Sequence, residues 1–378
     1  MRNGFMNREL RNKMGTALLL AVLSLFCCFA SAAAQKIIDM PPPPPLPTPK
    51  PTPTPAPPKD DDFEVIKVSS NLVMVPVSVV DATGAAVRGL QVGDFRLDEE
   101  GREQQITEIG NPDEVPLDIV ILFDVSSSVS QKGFFAFQQS AAASFLKQVL
   151  KPVDRAAVFT ISDAPKLFSP LASADVTAAK ILSIPAATTP VPTAFYDTVM
   201  AASKYLSDNS AERHRRVILV ISDGDDNFSS IVKDLTTAEY RASQKGEVTS
   251  QAAHNSLLNR RQRAVLEVQR SVQTVDAAFY SINPGGPSIH LNEISTRAQN
   301  AMESIAQSTG GSAYVPEAER DLGRVFNQIA AELRGQYLVQ YYSNSQALGA
   351  QFRRIAVTLP THAELRVRAR QGYYPKSK

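Results

Sequence analysis

The run Leu117-Asp118-Ile119-Val120-Ile121-Leu122-Phe123, followed at once by Asp124-Val125-Ser126-Ser127-Ser128, decides the fold of this 378-residue chain. An almost unbroken apolar stretch of strand length suits a strand buried on both faces of a parallel sheet. A second such stretch, Arg216-Val217-Ile218-Leu219-Val220-Ile221, leads directly into Ser222-Asp223-Gly224-Asp225-Asp226-Asn227. Arg155–Ile161, Asp276–Ile282 and Ser312–Val315 are further strand candidates. Helical stretches fall between them, at Gly133–Leu150, Ala194–Leu206 and Glu293–Ser308. Leu322, Val325, Phe326, Ile329 and Leu333 then recur at helical spacing before Gly335, a suitable stop. Such alternation predicts an α/β domain over residues 115–315, a doubly wound, mostly parallel sheet with helices on both faces.

Working outward, residues 63–114 have β character. Leu72–Val80 is a strand run, Asp81-Ala82-Thr83-Gly84 a turn, and Glu100-Gly101 a second turn between Phe95–Asp98 and Gln104–Ile109. After the last helix, residues 316–378 return to strands at Gln336–Tyr342, Phe352–Leu359 and Glu364–Arg370. The two ends of an α/β domain tend to emerge close together. The segments on either side are therefore expected to pack into one small flanking β-sandwich unit. An insertion at about 228–275 is long for one crossover. Its helical part, Glu247–Val275, carries Arg260, Arg261, Arg263 and Arg270 among Leu257, Leu258, Val265, Leu266 and Val268. That pattern reads as the solvated face of an amphipathic helix, with a partner-binding helix as the alternative.

At the N-terminus, four basic residues, the apolar run Met14–Phe29 and the small cluster Ala30–Ala34 follow the order of a secretory signal over residues 1–34. An uncleaved anchor is the alternative, since Met14–Ala34 has the length of a membrane span. Residues 35–62 form a proline-rich linker. Pro41–Pro58 contains twelve prolines in eighteen positions, which excludes helix and sheet ladders and favours extended polyproline II. At about 3.1 Å per residue it would reach roughly 55 Å, so a stalk is preferred to a ligand for a proline-binding domain.

A formal charge of +1, with the excess positive charge in the leader, argues against nucleic-acid binding, which needs a basic face. Cys27 and Cys28 both lie in the leader, so the body has no disulfide, thiol nucleophile or iron–sulfur ligand. His214, His254, His290 and His362 lack the close spacing of a zinc pair.

What chemistry remains is oxygen. In open α/β sheets ligands sit at the carboxyl ends of strands. Asp124, Ser126 and Ser128 follow the first apolar strand as D-x-S-x-S, and Asp223 follows the second. Thr193 lies between them in Pro192-Thr193-Ala194-Phe195, at a loop-to-helix junction. Hydroxyls and carboxylates without imidazole or thiolate match a hard divalent ion: Mg²⁺, Mn²⁺ or Ca²⁺. Taken singly, Thr193 could cap the helix and Asp223-Gly224 could merely turn. Asp225 and Asp226 have no place in the pattern and read as solvated, with a supporting role behind the ligands or a weak Ca²⁺ role as the alternative.

These three motifs, in this order, resemble the metal-ion-dependent adhesion site of a von Willebrand factor A-type domain. The flanking Gly89-Leu90, Gly93-Asp94-Phe95-Arg96-Leu97, Leu333–Tyr342 and Ala369–Tyr374 segments extend the resemblance to the exported VWFA-related acidobacterial domain proteins. The resemblance implies direct ligation by Ser126, Ser128 and Thr193, with Asp124 and Asp223 acting chiefly through water. It also implies a non-enzymatic module that captures a protein partner through an Asp or Glu carboxylate offered to the metal. The expected location is the periplasm, the cell surface or the medium, with membrane contact only through an uncleaved leader. Related domains place glycines before the threonine, whereas this chain has Pro190 and Pro192. A scaffold with a vestigial metal site is therefore one alternative. A metal-dependent hydrolase is another, although no G-x-S-x-G elbow is present.

Overall fold

Every residue of β5 (Leu117–Asp124) and β8 (Arg215–Ile221) is buried, and the two pair in parallel, Ile119 opposite Val217 and Phe123 opposite Ile221. They form the centre of a six-stranded sheet in a computed structural model that describes residues 72–126, 129, 135–189, 191–233, 245–246, 250–285, 293–345 and 351–375. The expected leader and linker, and residues 63–71, lie outside the described residues.

Outward from β5 come β6 (Arg155–Ile161) and β7 (Lys166–Ala172). Outward from β8 come β9 (Ala277–Ile282) and the two-residue β10 (Ala313–Tyr314). All neighbours are parallel except β6 and β7. The β7 edge strand was not anticipated. Pro170 within it cannot donate to a ladder, which sequence reasoning takes as evidence against a strand but which an edge tolerates.

Alternation along β5 divides the core. Ile119, Ile121 and Phe123 face α1 (Phe135–Val149), α2 (Ala174–Leu182) and α7 (Leu322–Gly335), meeting Phe145, Ile181 and Phe326. Val120 and Leu122 face α3 (Phe195–Asn209), α5 (Ser250–Thr274) and α6 (Glu293–Thr309), meeting Val199, Val268 and Ile305. The fold is thus a doubly wound α/β sheet covered on both faces. The single turn α4 (Ser230–Lys233) precedes α5. Among the described residues no helix is long and apolar enough to cross a membrane.

The start of β8 fastens the ends of three helices. Arg215 Nη1 donates to Leu333 O at 2.8 Å near the end of α7. Arg216 donates to Val275 O at 2.8 Å, just past α5, and to Ser210 O at 3.1 Å, just past α3. Cations are favoured there because exposed carbonyls concentrate negative potential at a helix C-terminus.

Two four-stranded antiparallel sheets accompany the α/β domain. One runs β13 (Arg366–Ala369), β1 (Leu72–Val80), β11 (Tyr337–Tyr342), β4 (Ile106–Gly110). The other runs β14 (Gly372–Tyr373), β12 (Arg353–Thr358), β2 (Arg96–Glu99), β3 (Arg102–Gln104). Residues before and after the α/β domain pair directly, Val75 opposite Val339 and Leu97 opposite Val357. Val75, Val77, Leu97, Tyr341 and Ile355 share one apolar core. Glu99 is buried at its edge and accepts hydrogen bonds from Tyr341 Oη at 2.6 Å, Ser343 Oγ at 2.7 Å and Tyr373 Oη at 3.2 Å.

Candidate functional site

The chain leaves β5 toward β6 on one side and later returns to β8 on the other. The order of connections therefore reverses between β5 and β8, the kind of point at which open α/β sheets bind ligands beyond the carboxyl ends of their strands. Asp124 closes β5 at this point and is wholly buried. The register sets Ser222 beside it, and Ser222 Oγ donates to Asp124 Oδ2 at 2.5 Å. The Ser126 N–H donates to Asp124 Oδ1 at 2.7 Å, which turns the chain sharply and leaves Ser126 buried.

Asp223 follows, half-buried, and Gly224 adopts φ +74°, with its N–H donating to Ser222 Oγ at 3.0 Å. The positive φ calls for glycine, and a Cβ there would also stand 2.7 Å from Met302 Cε, so the methionine side chain would have to shift. Burial, and then the Asp223 charge, push the Asp124 carboxyl up to about 7, against the opposing pull of Ser222 and Ser126. No basic side chain pairs with Asp124 among the described residues. Burial and Asp223 likewise raise Asp225, opposed by Arg261.

Thr193 belongs to a third segment and is buried. The next residue, Ala194, donates its N–H to Ser162 O at 2.7 Å, just past β6. Thr193 N–H donates to Asn227 Oδ1 at 2.9 Å, and Thr193 O accepts from the N–H groups of Asn227 and Phe228, both at 3.1 Å. Since β5 lies between β6 and β8, this segment spans the end of β5, where Asp124 stands. The backbone at Thr193 thus lies at the same carboxyl end of the sheet as Asp124, Ser126 and Asp223. Ser128 lies outside the described residues.

Two sequence readings are corrected here. Asp226 is not solvated. It is 3% exposed, and its Oδ2 accepts from Tyr196 N–H at 2.8 Å and Ser229 Oγ at 2.5 Å. Its Oδ1 accepts from the N–H groups of Ser229 at 2.9 Å and Phe228 at 3.2 Å. Ser229 Oγ in turn accepts from Asp197 N–H at 3.0 Å. The first turn of α3 is therefore capped from a distant segment, and the cap residue Ala194 contributes no side chain. The spacing Asp226 to Ser229 is a local signal for a capped turn, but it gives no hint of the long-range partner Tyr196.

The arginines of the insertion are not uniformly solvated either. Arg263 and Arg270 are exposed, the latter with its guanidinium 5.6 Å from the centre of the Tyr374 ring, while Arg261 is half-buried and donates to Asp226 O at 3.1 Å.

Residues 119–225 match the family model of the von Willebrand factor type A domain. The chain carries a von Willebrand factor A domain. Such domains are protein-interaction modules. No curated protein matches the chain. Among solved structures it is similar to the vWF domain of the type V pili tip protein Mfa5 from Porphyromonas gingivalis, at 15% identity and TM-score 0.41. That match covers 57% of this chain and 94% of the other. It is also similar to the PilB minor pilin from Streptococcus sanguinis, at 13% identity, TM-score 0.41, 58% and 62% coverage. An aerotolerance-related membrane protein from Bacteroides fragilis gives 15% identity, TM-score 0.38, 57% and 98% coverage.

The donor set of the A domain can be tested against a cation. Among the described residues no three His, Cys, Asp or Glu side chains gather as ligands. An ion at this end of the sheet would therefore draw on hydroxyl oxygen from Ser126 and Thr193 besides the two carboxylates. A buried carboxylate beside a second one is costly unless a positive charge joins them. Oxygen donors with one such pair fit a hard divalent ion.

Proposed function

We propose that this chain is an exported, non-enzymatic binding module whose A domain captures a protein partner through a divalent cation, Mg²⁺ with Mn²⁺ or Ca²⁺ as substitutes. Asp124 carries the reading: a carboxylate with no exposure, no basic partner among the described residues and a second carboxylate nearby calls for a cation. Ser126, Ser128 and Thr193 would ligate directly, with Asp124 and Asp223 acting through water. Neutral hydroxyls leave most of the ion's charge unspent, so a partner's Asp or Glu carboxylate could take an open position in place of water. Export rests on the leader and the proline stalk, and the flanking segments resemble the exported acidobacterial proteins.

Titration calorimetry of the purified chain with Mg²⁺ and Mn²⁺, beside Asp124→Ala, tests the metal. Saturable heat in the parent and its loss in the variant are expected, and identical heats from both overturn the reading. Partner capture from the exported protein fraction is expected to be lost in chelator. Capture that is indifferent to chelator favours the scaffold role instead.

A further inference from the structure

The helix carried by the insertion is joined to the loop that holds Thr193. Ala264, Val268 and Val272 of α5 form its buried stripe, in the apolar core shared with Phe195, Tyr196 and Val232. Arg261 lies three residues before Ala264 and seven before Val268, so helical geometry places it on the same inward side, whereas Leu266 points to solvent at 58% exposure. Its aliphatic stem can follow the apolar stripe while the guanidinium reaches the turn after β8.

There Arg261 Nη2 meets Asp226 O at 3.1 Å. The carboxylate of the same residue holds Tyr196 N–H at 2.8 Å, and the next residue, Asn227, holds Thr193 N–H through its side chain at 2.9 Å. One guanidinium is thus linked, within a single residue step, to both sides of the Thr193 segment. The same turn meets Thr193 O through the N–H groups of Asn227 and Phe228 and meets the start of α3 through Asp226 and Ser229, while Arg261 ties it to α5.

The geometry points to Arg261 as a positioning residue that fixes the turn 226–229, and with it Thr193, against Asp223, so that α5 governs divalent-cation affinity at the candidate site. This role rests on the metal reading proposed above. Among the described residues Arg261 donates to Asp226 O and not to Asp124, Ser126, Thr193 or Asp223. It acts through Asp226 and Asn227, as outer partners of metal ligands commonly do.

The test uses the full chain with Arg261→Met, which keeps the apolar stem, Arg261→Lys, which keeps the charge, and Arg263→Met as an exposed control on the same helix. Mn²⁺ affinity is read by calorimetry, and amide exchange by mass spectrometry in chelator. Arg261→Met is expected to lose about tenfold or more in Mn²⁺ affinity. Its amides at Thr193, Tyr196 and Asn227 should exchange faster while those of β5 and β8 keep their protection. Arg261→Lys should recover part of both effects, and Arg263→Met should match the parent. Unchanged Mn²⁺ affinity in Arg261→Met overturns the positioning role, as does exchange that rises equally throughout the chain. A parent chain that binds no Mn²⁺ removes the metal reading and this role together. Unchanged exchange at Thr193 removes the clamp alone.

Discussion

Replacing Asp226 by asparagine tests whether one buried carboxylate organises the candidate site. Its two oxygens accept four hydrogen bonds, from Tyr196 N–H, Ser229 Oγ, Ser229 N–H and Phe228 N–H. Asparagine has nearly the same shape, so no cavity complicates the comparison. It keeps one oxygen, however, and its amide nitrogen must then face two of those donors. A hydrogen bond to a charged acceptor contributes about 1.5–3 kcal/mol, so two lost in a buried setting come to about 3–6 kcal/mol before relaxation. Losing the anion at the start of α3 adds about 0.3–1 kcal/mol. A net loss of roughly 3 kcal/mol is expected, or about 4–5 °C in Tm at about 2.1 cal/mol/K of unfolding entropy per residue. Urea unfolding followed by far-ultraviolet circular dichroism in chelator measures it without any contribution from metal. A midpoint change worth less than about 0.5 kcal/mol, the range of an ordinary surface substitution, would refute the reasoning.

Two further outcomes follow from packing and burial. A Cβ on Gly311 would collide with the carbonyl oxygen of Phe279 and lie 2.6 Å from its carbonyl carbon, so Gly311→Ala should cost about 3 kcal/mol or more. Gly93→Ala, which meets nothing within 4 Å, should stay within about 0.5 kcal/mol in the same denaturation assay. Burial and then Glu332 raise Tyr280 well above the usual phenol range. Burial and the hydrogen bond to Glu99 do the same for Tyr341, while burial and then Asp226 push Tyr196 up to about 12. Because the folded values exceed the unfolded value of about 10, the neutral phenols' contribution is complete below pH 10 and is lost as pH rises past it. Tyrosinate absorbance should therefore show these residues ionising together with unfolding. Smooth ionisation near pH 10 in a chain that keeps its circular dichroism would contradict that.

The α/β reading was legible because buried parallel strands leave a strong mark. Leu117–Phe123 and Val217–Ile221 are too apolar and too short for most other settings, and helical spacing in 322–335 separates that segment from them. β7 was not legible, since Pro170 weakens its pattern and only its edge position makes the strand tolerable. Ser312–Val315 shrank to Ala313–Tyr314, because an edge strand pairs only as far as its single neighbour allows.

The candidate donors Asp124, Ser126 and Asp223 stand out in sequence because they come at or just past the ends of apolar strands, and Thr193 because it stands just before a helix. Ser222 did not, although the register makes it the hydroxyl nearest to Asp124 Oδ2. Asp226 was misread for a similar reason. A run of acidic residues is usually solvated, and only the approach of Tyr196 across 30 positions buries this one.

By itself the sequence determined the strand and helix alternation, the oxygen-only chemistry and the points along the chain where it is offered. These depend on periodicity and composition, which are local. Only the tertiary structure decided that Asp226 caps α3, that Arg261 faces the turn after β8 and that β1 pairs with β11. Each of those is a choice of partner between distant residues, and hydrogen-bond satisfaction in a buried setting can be settled only once the chain has brought them together.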